Sequence, residues 1–310
     1  MEVFYSTDNF PKNCGTCVTV GTFDGLHFGH KKVLKELAET AQQKKLKSLV
    51  LTFDPHPRQV LMPEADIYFV LSKREKIEAF KKTDIDFLIV YPFSKEFASM
   101  SAEEFLTDFL CKKLNMKYLI KGFNNHFGKD RLSELSVIKD IGKKYGFGIT
   151  QVEKFNNGIS VSSTAARDFI RSGEMKNAAK VLGYNFYISG KVVHGRHIGT
   201  SIGFPTANIL VEDKNKIVPK NGVYAAQTII SGKKYPVMLN IGSNPTVNTD
   251  KEKSFFEAHI IGFSGDIYDE EIKVEILQRI RDEKKFPSLN SLKSQLEKDK
   301  EIVVSISSVL

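Results

Sequence analysis

An α/β fold is predicted for the first half of this 310-residue chain, and an antiparallel barrel or sandwich for the second. Three observations carry that expectation. Strand-length apolar runs alternate with helix-spaced segments over roughly the first 150 residues. Beyond about residue 183 the spacing drops to period two, with glycine, proline and asparagine between the runs. Near the front, a strand breaks into Gly21-Thr22-Phe23-Asp24-Gly25-Leu26-His27-Phe28-Gly29-His30 and leads at once into a helix-spaced segment.

Taken in order, Val18 and Val20 belong to the first strong strand, and Leu34, Leu37, Ala38 and Ala41 mark the buried face of the helix after it. Helix N-termini attract anions, and Gly21, Gly25 and Gly29 remove side chains that would keep a nucleotide off the backbone. His27 and His30, three apart, share one face of the first turn. The run 49–53 predicts a central parallel strand, ended by Asp54-Pro55-His56-Pro57. Helical spacing returns at 73–80, and 87–91 reads as a strand. Ser101 to Glu104 is a capping box opening a helix that buries Phe105, Leu106, Phe109 and Leu110. Tyr118-Leu119-Ile120 is the next strand. The polar loop after it, holding Asn124, faces the carboxyl edge where doubly wound sheets bind ligands.

Three hydroxyls, Ser162, Ser163 and Thr164, open a further helix, with Arg167 one turn on. Such a cluster caps a helix and also suits a phosphate clamp. The segment 174–182 predicts a short helix with Gly183 as its C-cap. Period-two runs follow at Phe186 and Ile188; Val223 and Ala225; Val237, Leu239 and Ile241; Phe256, Ala258 and Ile260; and Ile272, Val274 and Ile276. Leu289, Leu292 and Leu296 return to helical spacing. A domain boundary is expected at 183, giving domains 1–183 and 184–310.

The formal charge of +8 suits an enzyme of phosphorylated anions, and the dispersed lysines argue against nucleic acid. No stretch reads as a signal peptide or a membrane span, so a cytoplasmic protein without a membrane partner is expected. Three cysteines agree with a reducing compartment. Cys14 and Cys17 form a lone C-x-x-C with no second pair, which reads as strand sequence rather than a metal or redox site.

A second constellation spans 190–208, with Gly190, Gly195, Gly199 and Gly203 before Pro205-Thr206-Ala207-Asn208. Thr206 and Asn208 point the same way along an extended segment. They can share a hard cation or simply bond a turn, and spacing leaves both open.

The tetrapeptide His27-Phe28-Gly29-His30 behind Gly21-Thr22-Phe23-Asp24-Gly25 resembles the nucleotidylyltransferase signature. The P-T-A-N segment resembles the riboflavin kinase domain, together with Val192-Val193-His194-Gly195, Gly222-Val223-Tyr224-Ala225, Asn240-Ile241-Gly242 and Glu257-Ala258-His259-Ile260. Over nearly its whole length the chain resembles the prokaryotic bifunctional riboflavin kinase and FMN adenylyltransferase family, as Phe53 to Pro57 and Ile159 to Arg167 match further blocks of it.

That resemblance implies a Rossmann-like nucleotidylyltransferase domain followed by a β-barrel riboflavin kinase domain. It further implies ATP, riboflavin and FMN as partners and Mg2+ with ATP. Gly21, Thr22, Phe23, Asp24, Gly25, His27, His30, Ser162, Ser163, Thr164 and Arg167 would bind ATP for adenylyl transfer. Gly195, Gly199, Gly203, Thr206 and Asn208 would bind ATP for the kinase, with Thr206 and Asn208 on the metal. Glu257 would be the kinase base, and Asn124, Glu257 and Arg281 would meet flavin. His27 and His30 would stabilise charge on the transferring phosphate. The chain departs from the family at Ala165, where an arginine is usual, at Asn125, where an aromatic is usual, at Leu132 to Glu134, which lack the usual glycine, and at Ile198 and Thr200 in place of arginines. A riboflavin kinase with weak or lost adenylyltransferase activity is the alternative.

Overall fold

The computed structural model describes residues 1–155, 160–195, 198–244 and 253–308. By internal contacts it divides into Met1–Ser162 and Ser163–Leu310. Ile159 and the side chains of Ile198 and Thr200 lie outside the described residues.

The first unit runs β1 (Glu2–Phe4), β2 (Thr16–Val20), α1 (Phe28–Gln43), β3 (Lys47–Phe53), α2 (Pro57–Leu61), α3 (Lys73–Lys81), β4 (Phe87–Tyr91), α4 (Lys95–Ala98), α5 (Ala102–Glu104), β5 (Met116–Lys121), α6 (Leu135–Tyr145) and β6 (Gly148–Gln151). All six strands form one parallel sheet in the order β1-β4-β3-β2-β5-β6. The chain builds outward from β2 through β3 to β4, then jumps back to place β5 on the other side of β2. The strand order therefore reverses between β2 and β5, and a doubly wound sheet opens its ligand crevice at such a reversal. β2 is buried at every residue, as a strand covered on both faces must be.

The capping box at Ser101 forms as predicted, with Ser101 and Glu104 each bonded to the other's backbone N–H. The helix it opens continues as a π-helical stretch over Phe105–Lys113. Phe105, Leu106, Phe109 and Leu110 still face the core, where they join Val18, Val20, Leu49, Leu51 and Leu119.

The second unit holds α7 (Ser163–Ser172), α8 (Met175–Leu182), β7 (Tyr187–Val193), α9 (Ile198–Ser201), β8 (Ala207–Leu210), β9 (Gly222–Ile230), β10 (Lys233–Asn244), β11 (Lys253–Ile260), β12 (Glu271–Arg281) and α10 (Leu289–Ser308). Six strands close into a barrel in the order β10-β11-β8-β7-β12-β9, which decides for a barrel over a sandwich. Gly183 caps α8 in the left-handed region (φ 75°), at the position expected for the boundary. The α7–α8 turn packs on the barrel: a Cβ on Gly173 would lie 2.6 Å from Arg279 Cδ.

All the period-two residues are buried, but not all on one face. Val237 pairs with Ala226 and Ile260, and Leu239 with Tyr224 and Ala258, so these fill the barrel. Val223, Ala225 and Met238 sit on the opposite, outer face, where Val303 of α10 covers them. β9 is apolar on both faces because it separates two cores.

Candidate functional site

Gly21 N still donates to Leu51 O at 3.0 Å, so the backbone leaves the sheet only at Thr22. It then passes through positive φ at Phe23 (50°), Gly25 (81°) and Leu26 (37°). For the two non-glycine residues such a conformation costs about 1–3 kcal/mol each. Burial of both side chains holds it in place. Asp24 is buried as well, and its carboxylate accepts from Val70 N (2.8 Å) and Leu71 N (3.4 Å), tying the turn to the segment ahead of α3.

His27 is the N-cap of α1, and its Nδ1 accepts from His30 N at 3.3 Å. The two rings stack with centroids 3.7 Å apart and planes 13° from parallel. Gly29 makes room for that stack, since a Cβ there would sit 3.2 Å from the His27 ring. Accepting at Nδ1 leaves Nε2–H as the only proton of a neutral His27, so the ring presents a donor. Desolvation pushes the His27 pKa down to about 4. His30 is held well below the ordinary imidazole range by burial, then by the charges of His27 and Lys76. Both rings are therefore neutral donors near pH 7 in the unliganded site.

The glycines have local reasons beyond room for a nucleotide. A Cβ on Gly21 would meet the Phe23 ring at 3.0 Å, Gly25 needs its positive φ, and Gly29 serves the histidine stack. Lys76 of α3 reaches the same turn, with Nζ 3.4 Å from Thr22 O. Sequence reasoning passed over it, because a lysine in a helix is commonplace and only the tie from Asp24 to Val70 brings α3 near the turn.

Across the reversal, the loop after β5 is fixed at several points. Asn125 Nδ2 donates to Val20 O at 2.5 Å, joining the ends of β5 and β2. Phe127 and Leu132 exchange two backbone bonds, and Asp130 accepts from Ala102 N at 2.9 Å. Asn124 stands exposed on this loop. The segment leading to Ser162 passes beside the histidines, with Val161 Cγ1 3.8 Å from the position of a Gly29 Cβ. Ser163, Thr164 and Arg167 lie on α7 in the second unit, and Arg167 donates to Thr164 Oγ1 at 3.3 Å.

The barrel brings its residues together through register. Glu257 on β11 is directly opposite Asn208 on β8 and Asn240 on β10, so the three side chains share the outer face. Thr206 precedes β8 by one residue, on the same side as Asn208. Gly195 lets the Asn208 side chain lie against the backbone: a Cβ there would be 1.9 Å from Asn208 Nδ2. Gly199 likewise admits Phe204 O, and Gly203 turns through φ 86°. Glu283 lies near Glu257; its carboxyl is raised by its own desolvation and then by the Glu257 charge. His259 bonds Pro205 O at 2.8 Å and steadies the P-T-A-N segment.

Arg281, expected to meet flavin, is tied to α10. Its Nε and Nη2 bond the buried Asp299 of α10 at 2.9 Å and 2.7 Å, and Nη1 donates to Asp282 O. Its guanidinium is thus a strut between β12 and α10. Hydroxyl and amide oxygens at Thr206 and Asn208, beside one carboxylate, suit a hard cation that arrives with its own phosphate ligands. Among the described residues no group of three or more His, Cys, Asp or Glu could hold a metal by itself.

A histidine-bearing strand–turn–helix at the reversal of a parallel sheet, followed by a closed barrel with a carboxylate flanked by two asparagines, defines a two-site nucleotide-dependent transferase. The sequence matches the FAD synthetase family over residues 9–165 and the riboflavin kinase family over 182–307. It is 34% identical to the bifunctional riboflavin kinase/FMN adenylyltransferase of Buchnera aphidicola subsp. Schizaphis graminum, over 98% of each chain. It is 34% identical to the protein of the same name from Escherichia coli K12, covering 92% of this chain and 90% of that one. A Streptococcus pneumoniae crystal structure titled as a macrolide-efflux protein superposes with a TM-score of 0.88 at 32% identity, covering 97% and 98% of the two chains. No helix among the described residues is long and apolar enough to cross a membrane. The chain belongs to the bifunctional riboflavin kinase/FMN adenylyltransferase family.

Proposed function

We propose that the second unit phosphorylates riboflavin to FMN and that the first transfers an adenylyl group from ATP to FMN, giving FAD and pyrophosphate, in the cytoplasm. The observation that carries the kinase half is the cross-strand row Asn208–Glu257–Asn240. Glu257 takes the proton of the terminal ribityl hydroxyl as that oxygen attacks the γ-phosphate. Thr206 and Asn208 hold Mg2+, which neutralises phosphate charge when bound. Gly195, Gly199 and Gly203 shape the loop against the nucleotide. The functional boundary falls at 183.

For adenylyl transfer the nucleophile is the FMN phosphate, already an anion, so no strong base is required. His27 and His30 donate to the α-phosphate and the departing pyrophosphate. Thr22, Phe23 and Gly25 shape the turn, with Asp24 as its tether. Ser162, Ser163, Thr164 and Arg167 hold the triphosphate, and Asn124 meets the flavin. Incubation with riboflavin, ATP and Mg2+, followed by chromatography, tests the reading: FMN appears first and FAD after it. Detecting neither product would sink it.

The alternative, a kinase with weak or lost adenylyltransferase activity, is favoured by two departures from the family. Asn125 is tied to Val20 O where an aromatic side chain is usual, and Ala165 removes a phosphate donor. FMN that accumulates without FAD selects this second reading.

A further inference from the structure

Lys76 is a half-buried cation for which the two reactions above have no role. Its Nζ has two long neutral acceptors, Thr22 O at 3.4 Å and Thr52 Oγ1 at 3.5 Å. Among the described residues it has no ion-pair partner within 4 Å. The carboxylates in its field are engaged elsewhere: Asp54 pairs with Lys73 at 2.6 Å, and Asp24 accepts from Val70 and Leu71. Desolvation lowers the Lys76 pKa, and the charges of Asp24 and Asp54 only partly oppose it. Beside it, His30 Nδ1 is buried with no hydrogen-bond partner.

A purely structural lysine would leave these observations unexplained. Partly desolvating an ammonium beside a full complement of acceptors or a carboxylate is tolerable; partly desolvating one against two marginal acceptors carries a cost that a structural role does not offset. The chemistry of the site also calls for positive charge that the stacked histidines do not supply. Both imidazoles are neutral, and two phosphorylated substrates must approach each other. We propose that Lys76 is a phosphate-binding residue of the first unit, its ammonium taking a phosphoryl oxygen at the carboxyl ends of β2 and β3 beside His30. This inference rests on the adenylyltransferase reading of that unit. The oxygen belongs either to ATP or to the phosphate ester of FMN, and the two share one chemistry.

The test uses the full chain with Lys76→Met and Lys76→Arg. FAD formation from FMN and ATP is measured alongside riboflavin phosphorylation, which reports on the second unit. Lys76→Met is expected to lower kcat/KM for FAD by about 100-fold, as loss of one charge-stabilising donor does. Riboflavin phosphorylation stays unchanged, and Lys76→Arg recovers part of the loss. A KM raised for ATP assigns the oxygen to ATP; one raised for FMN assigns it to FMN. FAD formation by Lys76→Met within about threefold of the parent overturns the proposal. If the parent makes no FAD, the activity reading fails separately, and binding decides for Lys76. Inorganic pyrophosphate is then titrated while the His27 and His30 ring protons are followed by NMR, which also confirms folding. At least about tenfold weaker binding in Lys76→Met supports a phosphate ligand. Equal affinity overturns it.

Discussion

The histidine turn of the first unit and the Glu257 row of the second, to both of which we assign phosphate chemistry, are built in opposite ways. At the turn, titratable rings are desolvated and discharged, and the backbone is bent through strained positions to hold them. On the barrel, the polar residues lie on the outer face of regular strands, aligned by ladder register alone, and strain is absent from the row. On the proposed reading the difference follows from the nucleophiles. An anionic phosphate needs donors and charge but no base, whereas a neutral hydroxyl needs a carboxylate that can receive its proton.

Four outcomes would sharpen or break that contrast. The largest is expected for Glu257→Gln, which should lower riboflavin phosphorylation by about 10³-fold while FMN-to-FAD conversion persists. Loss of both activities in a folded variant would mean the sites are not separate. Next, Asp299→Ala removes the buried partner of Arg281 and should destabilise the barrel by about 3–5 kcal/mol in denaturant unfolding. A smaller change, with a raised KM for riboflavin, would place Arg281 at the flavin.

His27→Ala should cost FAD formation about 10²-fold and leave the kinase untouched. The smallest effect is on pH dependence. The His27 pKa is lower in the folded chain, about 4, than in the unfolded chain, about 6.5. The unfolded state therefore binds the extra proton first as pH falls. Its contribution is fully present above about pH 6.5 and is lost towards pH 4, by up to about 1.4 kcal/mol per pH unit. His30 acts in the same direction. Stability curves that are flat from pH 7 to 5 would contradict the neutral stacked pair.

Much of this was legible in the chain because short-range chemistry writes it there. The Ser101 capping box, the Gly183 C-cap and the strand at 87–91 depend on neighbours a few residues away. The H-x-G-H turn was legible for the same reason. What escaped depends on partners distant in sequence. Val223 and Ala225 alternate like barrel-lining residues, and only α10 reveals that they face outward. The π-helical stretch keeps the same apolar side chains buried, so the hydrophobic pattern did not mark it. The pairing of Arg281 with Asp299 and the arrival of Lys76 at Thr22 span 18 and 54 residues. No local pattern signals either.

The tether from Asp24 has a bearing on how this unit can be altered. The chain between Asp54 and Val70 is clipped at both ends, by the Asp54–Lys73 ion pair and by the Asp24 carboxylate on Val70. Leu61 and Met62, in its middle, are exposed. Lengthening such a clipped excursion costs little, about 0.6 kcal/mol per doubling. Insertions of foreign sequence near Met62 would leave α3 and the histidine turn in place, making this stretch a natural point for grafting a label or a binding peptide.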